Sequence, residues 1–410
     1  MWDRVLDYML AGLVRTGSLT LHLASGRVLR HGDGAAPAVS VRLTSAELPA
    51  RLVRDPDMAL GEAYMDGTLI IDGDDLEGLL TLCIQNTTGP QQVWWQRGLD
   101  GARTLLRSLN QKNPVARSRQ NVAHHYDLSG KLYDLFLDTD RQYSCAYFRH
   151  PTDTLEQAQA QKKAHIAAKL RLEPGMRVLD IGCGWGGLGL TLARDYGAQV
   201  LGVTLSEEQH KVATDRAQRA GLADRVDFRL TDYRHVAGKF DRIVSVGMFE
   251  HVGVPHYREY FRHVSEKLAP DGVALIHTIG RNTPPAYTSS WITKYIFPGG
   301  YVPALSEMMA AVEKEGLWTT DVEVWRLHYA ETLKNWHARF LTHIDQARAL
   351  YDERFCRMWR YYLLASELTF RHGRQCVFQV QLAHQQEAVP LTRDYLYAPE
   401  PRQRLVEAAE

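Results

Sequence analysis

The residues with the clearest chemical potential surround a run of glycines near the middle of the chain. Residues 178–187 read VLDIGCGWGG, and the following residues 188–193 have the composition of a helix. Glycine lets a backbone turn sharply and lie close against a ligand, and a helix N-terminus offers N–H groups without an intrahelical partner. The stretch therefore predicts a strand, a tight turn and a helix start that together cradle a nucleotide-type ligand.

Two kinds of nucleotide site fit this loop. Gly182, Gly184 and Gly187 satisfy the dinucleotide pattern G-x-G-x-x-G, which is weak evidence alone. A dinucleotide site usually has an acid about 20 residues further on, at the end of the next strand, but here that predicted strand ends at Thr204. Asp180 instead gives the form D-x-G-x-G, which resembles the S-adenosylmethionine (SAM) loop of Rossmann-like methyltransferases. A purely structural glycine turn in another α/β protein is the alternative.

The elements around the loop alternate regularly between strand and helix patterns. Strands are predicted at 177–181, 200–204, 226–230, 240–246 and 273–276, with helices at 158–170, 207–220 and 256–268. Such alternation predicts a mainly parallel sheet covered on both faces, with ligands beyond the carboxyl ends of its strands. Five polar residues fall at those ends: Asp180, Thr204, Asp232, Glu250 and His277.

The rest of the chain predicts a second, smaller unit. Short strand and helix patterns over residues 1–110 indicate a separate N-terminal α+β domain, followed by a linker at 111–120, a second domain at 121–395 and a tail at 396–410. Pro270, Asp271 and Gly272 are expected to end a helix, and residues 331–349 to form a single helix. The polar stretch from Gln385 onward is expected to be loosely held.

Composition excludes several function classes. Lys and Arg number 48, as do Asp and Glu, so the chain has no general attraction to nucleic acid. No apolar run approaches the roughly 18 residues of a membrane span, and the N-terminus lacks a signal-peptide layout. The five scattered cysteines form no C-x-x-C pair, which favours a reducing cytoplasm over a disulfide framework. His124 and His125 have no partner four residues on, so no metal site is predicted.

A basic segment precedes the second domain. Residues 94–119 carry six Lys and Arg against the single acid Asp100, beside Trp94 and Trp95. Basic residues next to aromatic ones attract a segment to an anionic membrane surface. A solvated basic helix packed on an acidic neighbour is the alternative.

Six separated motifs together resemble the cyclopropane fatty acid synthases, relatives of the mycolic acid cyclopropane synthases. They are YSCAYF at 143–148, the D-x-G-x-G loop, GVTLS at 202–206, GMFEHVG at 247–253, HTIG at 277–280 and KYIFPG at 294–299. The resemblance covers about residues 120–382, and the N-terminal part resembles, less specifically, the lipid-binding domain of the phospholipid-acting members. It implies a Rossmann-like class I SAM-dependent methyltransferase fold with a mainly parallel seven-stranded sheet.

This resemblance also implies a reaction and a set of site residues. Members transfer a methylene from SAM to a cis double bond of a membrane phospholipid acyl chain, through a carbocation that a bound bicarbonate deprotonates. By resemblance, the bicarbonate ligands map onto Cys145, Glu250, His277, the backbone of Ile279 and, in a looser match, Tyr329. Glu250 would orient the bicarbonate and accept its proton in a hydrogen bond, and His277 would donate to it. Aromatic rings such as Tyr143, Phe148 or Tyr295 would stabilise the cation.

The SAM ligands implied by the resemblance spread over several motifs. The matching positions are Tyr126, Tyr143, Ser144, Asp180, Gly182, Gly184, Thr204, Gln209 and Asp232. From the residues alone, each polar position also has a structural reading: Asp180 as a turn cap, Gln209 and Asp232 as surface residues, and Glu250 with His251 as an ion pair. His277 and Cys145 read equally as core residues.

The resemblance also implies partners, a location and a product. The resemblance implies a homodimer, in the cytoplasm and peripherally attached to the inner face of the membrane. A methyl-branched or methylene product, as relatives form, is the alternative outcome, and a protein that only binds SAM or lipid is a third hypothesis.

Overall fold

A four-stranded sheet organises the N-terminal part of the protein, whose computed structural model describes residues 1–87 and 130–397. The strands are β1 (Ser18–His22), β2 (Val28–Gly32), β3 (Ala38–Leu43) and β4 (Leu69–Ile71), in the order β2-β1-β3-β4. Four helices surround the sheet: α1 (Trp2–Leu13), α2 (Leu48–Arg54), α3 (Pro56–Met65) and α4 (Leu76–Thr87). The apolar residues that alternate along β1 and β3 face these helices and form the core of this part.

A seven-stranded sheet forms the centre of the larger part. Its order is β10-β11-β9-β8-β5-β6-β7, and the five strands from β9 to β7 run parallel. The strands are β5 (Arg177–Ile181), β6 (Gln199–Thr204), β7 (Val226–Leu230), β8 (Phe240–Val246), β9 (Leu268–Arg281), β10 (Trp318–Trp325) and β11 (Gln375–Ala383). The predicted Rossmann-like fold with a mainly parallel seven-stranded sheet is confirmed.

Helices cover this sheet and carry part of the site. They are α5 (Gly130–Asp134), α6 (Leu155–Lys169), α7 (Gly187–Tyr196), α8 (Glu207–Arg219), α9 (Tyr257–Lys267), α10 (Ser290–Tyr295), α11 (Leu305–Lys314), α12 (His328–Thr342), α13 (Ile344–Leu350) and α14 (Glu353–His372). Helix α6 begins with the capping box that the sequence predicts, in which Thr154 and Gln157 each bond the backbone of the other.

Three local predictions were wrong. The residues Pro270 to Gly272 lie inside β9, because that strand already begins at Leu268 in a bulged pairing with β8. The single helix predicted at 331–349 is divided at His343 into α12 and α13. The segment after Gln385 is held as far as residue 397, since Leu396 is buried and the Tyr395 hydroxyl accepts a hydrogen bond from Gln381 Nε2 at 3.0 Å.

The N-terminal part packs on the larger part through contacts of α3 and α4 with α14 and of α3 with α10. Trp291 is buried, its ring lies against Gly61, and its Nε1 donates to Met65 Sδ at 3.3 Å. Asp57 Oδ2 accepts from the Ser289 hydroxyl at 2.7 Å, at the start of α10. N-terminal residues therefore fix the segment that precedes the KYIFPG motif.

Several predictions lie outside the described residues: the basic segment 94–119, the linker 111–120, the pair His124 and His125, Tyr126, and the tail after residue 397. Within residues 1–87 and 130–397, no helix has the length and apolar character of a membrane span. The same residues contain no group of three or more His, Cys, Asp or Glu side chains suited to a metal ion. All five cysteines are free thiols.

Candidate active site

The glycine loop joins β5 to α7 by a turn in which Gly182, Gly184 and Gly186 have positive φ. Gly182 has a φ of +82°, and a Cβ there would lie 2.9 Å from the Cβ of Met248. The Gly182 N–H donates to Val203 O at 2.9 Å, which ties the loop to the end of β6. Only glycine accommodates both this backbone conformation and this close approach, whereas a Cβ on Gly184 would point into open space.

That open space is a cavity at the carboxyl ends of β5, β6, β7 and β8. Its empty volume is about 900 Å³, part of it open to solvent. Five predicted SAM ligands line it: Gly182, Gly184, Thr204, Gln209 and Asp232. The sheet thus brings together residues from three separate segments of the chain, as expected when parallel strands end at one edge.

Hydrogen bonds preorganise the far wall of the cavity. The Thr204 hydroxyl donates to Gln209 Oε1 at 2.9 Å. Arg234 binds both oxygens of Asp232, from Nε at 2.9 Å and from Nη2 at 2.7 Å. Burial works to raise the pKa of Asp232, but the hydrogen bonds and charge of Arg234 outweigh it and lower that pKa. Asp232 therefore stays an anion whose carboxylate is held in one orientation.

Asp180 lies beneath the glycine loop and does not line the cavity. It is 1 % exposed, and its Oδ2 has no hydrogen-bond partner among the described residues. Burial raises the pKa of Asp180 to about 7, against a smaller opposing effect of the Lys162 charge. The turn-cap interpretation leaves this orphaned oxygen unexplained, since buried acceptors are normally paired.

The segment Tyr143–Ser144 lies apart from the cavity wall. The Tyr143 hydroxyl is 2.9 Å from that of Tyr362, and its ring stacks on Trp336 at 5.1 Å between centroids. The Ser144 hydroxyl accepts from Lys162 Nζ at 2.8 Å. Tyr143 thus belongs to an aromatic cluster, and Ser144 to a buried polar one.

A second cluster forms where β8 and β9 end side by side. Gly247 N–H donates to His277 O at 2.9 Å, and the short 3₁₀ turn after Gly247 carries Glu250 back toward β9. Glu250 Oε1 accepts from the Ile279 N–H at 2.7 Å, whereas its buried Oε2 has no partner among the described residues. Burial raises the pKa of Glu250 to about 7, although the Ile279 N–H and, to a smaller extent, the Glu250 N–H and the Thr278 hydroxyl oppose this.

These contacts argue against the interpretation of Glu250 and His251 as an ion pair. The carboxylate bonds the Ile279 backbone, and burial lowers the pKa of His251 to about 4, so His251 is neutral at physiological pH. His251 itself lines the cavity. The resemblance assigned the backbone of Ile279 to bicarbonate, and in this structure the Ile279 N–H donates to Glu250.

His277 is buried between one aromatic ring and one side-chain amide. It is 2 % exposed, its ring meets Trp325 edge to face at 5.1 Å, and its Nδ1 lies 3.0 Å from Gln379 Nε2. Burial, followed by the charges of Lys162 and Lys169, holds the pKa of His277 well below its usual value. The imidazole is therefore neutral.

Cys145 lies in the segment that precedes α6, whereas Tyr329 lies on α12. Cys145 is fully buried, its thiol donates to Ala146 O at 3.3 Å, and burial raises its pKa, so it stays a thiol. The adjacent Ala146 N–H donates to the Thr332 hydroxyl at 3.0 Å. Thr332 follows Tyr329 by three residues, which puts both on one face of α12.

Two of the aromatic residues suggested for cation stabilisation have other contacts. The Tyr295 hydroxyl donates to Glu62 Oε1 at 2.7 Å, and Lys294 and Arg354 lie over its ring. The Phe148 N–H donates to His328 Nδ1 at 3.1 Å. Tyr295 therefore contributes to the contact with the N-terminal part through Glu62. Its ring already interacts with two cations of the protein, so it is not free to stabilise a substrate cation.

Comparison with known proteins identifies the origin of this arrangement. Residues 113–380 match the family model described as mycolic acid cyclopropane synthetase, and residues 8–90 match a domain of unknown function. The chain belongs to the mycolic acid cyclopropane synthetase family. It is a SAM-dependent methyltransferase.

Two relatives of this family member cover more than four fifths of its length. A probable fatty acid methyltransferase of Pseudomonas putida is 35 % identical over 92 % of this chain and 97 % of its own. The cyclopropane-fatty-acyl-phospholipid synthase of Escherichia coli K12 is 40 % identical over 83 % of this chain and 86 % of its own. A mycolic acid cyclopropane synthase solved with SAH and CTAB is 34 % identical, with a TM-score of 0.62 over 64 % of this chain and 97 % of its own.

The site of this methyltransferase also contains residues that sequence reasoning missed. Lys162 is 1 % exposed and donates to Gln142 Oε1 and to the Ser144 hydroxyl, both at 2.8 Å. Burial lowers its pKa to about 8. Gln379 on β11 bonds His277. In the sequence, each of these two residues is only a polar residue at an otherwise apolar position. Their importance is recognised only when the structure shows that they are buried.

Proposed function

We propose that the protein is a cyclopropane-fatty-acyl-phospholipid synthase. It transfers a methylene from SAM to a cis double bond of a phospholipid acyl chain. The observation that carries the proposal is Glu250, a buried carboxyl with a pKa raised to about 7, one oxygen held by Ile279 and the other without a partner among the described residues. The relationship to the Escherichia coli synthase supports the choice of substrate.

The glycine cradle and the cavity beside it fit SAM. When bound, SAM supplies a methyl group made electrophilic by its sulfonium. Gly182 and Gly184 leave room for the ligand against the backbone, and Thr204, Gln209 and Asp232 offer oriented polar atoms on the wall. We assign Asp180, Tyr143, Ser144 and Tyr126 to the same ligand by family resemblance. Asp180 has an orphaned oxygen to offer.

The Glu250 region fits a small oxyacid such as bicarbonate, which, when bound, supplies a base. A carboxylic acid group next to Glu250 would satisfy the unpartnered Oε2 by donating its hydroxyl proton to it. Neutral His277 and the buried Cys145 thiol add hydrogen-bond donors. Cys145 stays a thiol, which is a far weaker nucleophile toward a cationic carbon than a thiolate. Tyr329 completes the proposed set, and Ile279 holds Glu250 in place.

The roles of these residues follow from the charge balance of the reaction. Methyl transfer forms a carbon–carbon bond, breaks the carbon–sulfur bond and leaves a positive charge on the acyl chain. Ring closure then requires loss of one proton from the added carbon. Glu250 is suited to hold a proton at Oε2, because its pKa lies near neutrality and burial disfavours its charged form.

Lipid delivery is assigned to the remaining parts. We propose that the N-terminal domain, residues 1–110, binds lipid, that the basic segment 94–119 contacts an anionic membrane surface, and that residues 121–395 form the catalytic domain of a homodimer. This places the enzyme in the cytoplasm, on the inner face of the membrane. The fixed contact between Trp291 and Gly61 supports a path from the N-terminal part to the KYIFPG segment.

The test is incubation of purified protein with SAM, bicarbonate and vesicles of cis-unsaturated phospholipid, followed by mass spectrometry of the acyl chains. We expect acyl chains that gain one CH₂ and lose the double bond. Glu250→Gln serves as the control, since it retains the hydrogen bond to Ile279 and removes the titrating group. No gain of CH₂ by wild-type protein that binds both SAM and vesicles would refute the proposal.

A methyl-branched or methylene product is the second candidate. The Pseudomonas putida relative, a probable fatty acid methyltransferase, matches over 92 % of this chain. The same cation precedes each product, so the outcome depends on which proton is removed. A gain of one CH₂ with unsaturation retained would favour this candidate.

A further inference from the structure

A row of three polar side chains crosses the antiparallel end of the central sheet. In the register of the strands, Gln379 of β11 stands directly opposite His277 of β9 on one side and opposite Glu323 of β10 on the other. Residues directly opposite one another project from the same face of a sheet. Gln379 is 0 % exposed, so a buried amide separates the proposed anion-binding histidine from a half-buried acid.

Helix α6 covers this row with charged groups. Glu323 accepts from His165 Nε2 at 2.7 Å and lies 2.6 Å from Lys169 Nζ. Lys162, one α6 turn before His165, is buried and bonds Gln142 and Ser144. The positive charges of Lys162 and Lys169 add to burial in disfavouring an imidazolium at His277. A neutral imidazole carries one ring N–H, so the hydrogen bond at one nitrogen decides whether the other donates.

The partner of His277 Nδ1 is the Gln379 amide nitrogen, at 3.0 Å. In this orientation of the Gln379 amide the NH₂ donates, so the facing ring nitrogen accepts. We propose that Gln379 is a positioning residue that keeps the His277 proton on Nε2 and so presents a neutral donor to the bound oxyacid. The donor role rests on the proposed function, whereas the proton position is a property of the free protein.

The proton position is measured first, without substrate. Protein labelled with ¹⁵N at histidine gives long-range ¹H–¹⁵N spectra in which the two neutral tautomers have different nitrogen shifts. The His277 signals are assigned by their loss in His277→Gln. We expect Nδ1 to show the shift of an unprotonated nitrogen at pH 7.5, and protonation at Nδ1 in the free wild-type protein would overturn the inference.

Two substitutions then change the partner. Gln379→Leu removes the donor, so we expect the His277 tautomers to mix and kcat to fall roughly 10- to 100-fold, the range for loss of a group that orients a metal-bound histidine. The KM for SAM should not change, because Gln379 does not line the cavity. Gln379→Glu places an acceptor at the same position, so the spectra should show protonation at Nδ1.

The matched control is Gln381→Leu, two residues along the same face of β11. Gln381 Nε2 donates to Lys169 O at 2.6 Å and to the Tyr395 hydroxyl at 3.0 Å, and it does not contact His277. We expect lower stability with an unchanged tautomer and unchanged kcat. An equal loss of kcat in Gln379→Leu and Gln381→Leu would mean a merely structural role. Should the wild type show the Nε2–H tautomer but form no cyclopropane, the proposed function fails and the assigned proton position stands.

Discussion

Glu250 should make the protein less stable as the pH rises, and Glu250→Gln should remove that penalty. The pKa of this buried carboxyl is raised from 4.5 to about 7. A group whose pKa is higher in the folded state contributes its stability below the unfolded value and loses it as the pH rises through the folded value. The relevant window is therefore pH 4.5 to 7, and stability falls across it.

The magnitude follows from the two pKa values. One pH unit between folded and unfolded pKa corresponds to about 1.36 kcal/mol, and most of the window lies between pH 5 and pH 8. Relative to wild type, Glu250→Gln should thus gain about 2.5 kcal/mol in free energy of unfolding between these two pH values. The glutamine oxygen can still accept from the Ile279 N–H, so the comparison isolates the charge.

The assay is urea unfolding of both proteins at pH 5 and pH 8, together with turnover and SAM binding at pH 8. We expect the variant to be more stable at pH 8, to bind SAM normally because Glu250 does not line the cavity, and to turn over at least about 100-fold more slowly. A group that destabilises the fold but supports the reaction is typical of a functional site.

A carboxyl whose pKa is lowered in the folded protein provides the control. The hydrogen bond from Arg339 lowers the pKa of Glu156, which lies at the start of α6. Glu156→Gln should therefore lose stability at pH 8 and leave turnover unchanged. If the stability difference between Glu250→Gln and wild type is the same at both pH values, the buried-charge reasoning is wrong, and unchanged turnover would remove Glu250 from the mechanism.

Four further predictions test other parts of the structure. Gly182→Val should abolish SAM binding in equilibrium dialysis, because its φ is +82° and its Cβ would meet Met248; retained binding would contradict the cradle. Trp291→Ala should lower the free energy of unfolding by about 3–5 kcal/mol in urea titrations, and a loss below 1 kcal/mol would mean that the contact with Gly61 is weak. Lys162→Met should weaken SAM binding about tenfold, equivalent to about 1.4 kcal/mol, by releasing Ser144, and calorimetry showing no change would separate Ser144 from SAM. Vesicle sedimentation should show anionic-lipid binding that weakens between low and high salt, and binding independent of salt would count against the basic segment 94–119.

Much of the fold was predictable because its signals are local. Two of these signals span only a few residues: the strand–turn–helix at the glycine loop and the capping box at Thr154. A third is a single residue type, because the strand β6 ends at Thr204 and not at an acid. The regular alternation of strands and helices then implied a parallel sheet and, through it, the convergence of Thr204, Asp232 and Gly182 on one edge. Five of the SAM positions could be predicted to meet because sheet topology alone brings them together.

Other features depend on contacts between distant segments, and the sequence could not predict them. Whether Pro270 to Gly272 turn or extend is decided by pairing with β8, and the segment around Leu396 is held by contacts with β11 and its neighbours. Lys162 and Gln379 look like ordinary polar residues until packing removes them from water.

The sequence by itself determined the Rossmann-like sheet, the glycine cradle and the family motifs, because hydrophobic periodicity and glycine placement act over short distances. The tertiary structure alone decided the electrostatic state of the site. Glu250 has a pKa near 7, His277 is neutral, and the Ile279 N–H is committed to Glu250, since each depends on burial and on partners from other strands and helices. Residue types supply the chemical groups, and burial in the assembled fold sets their protonation.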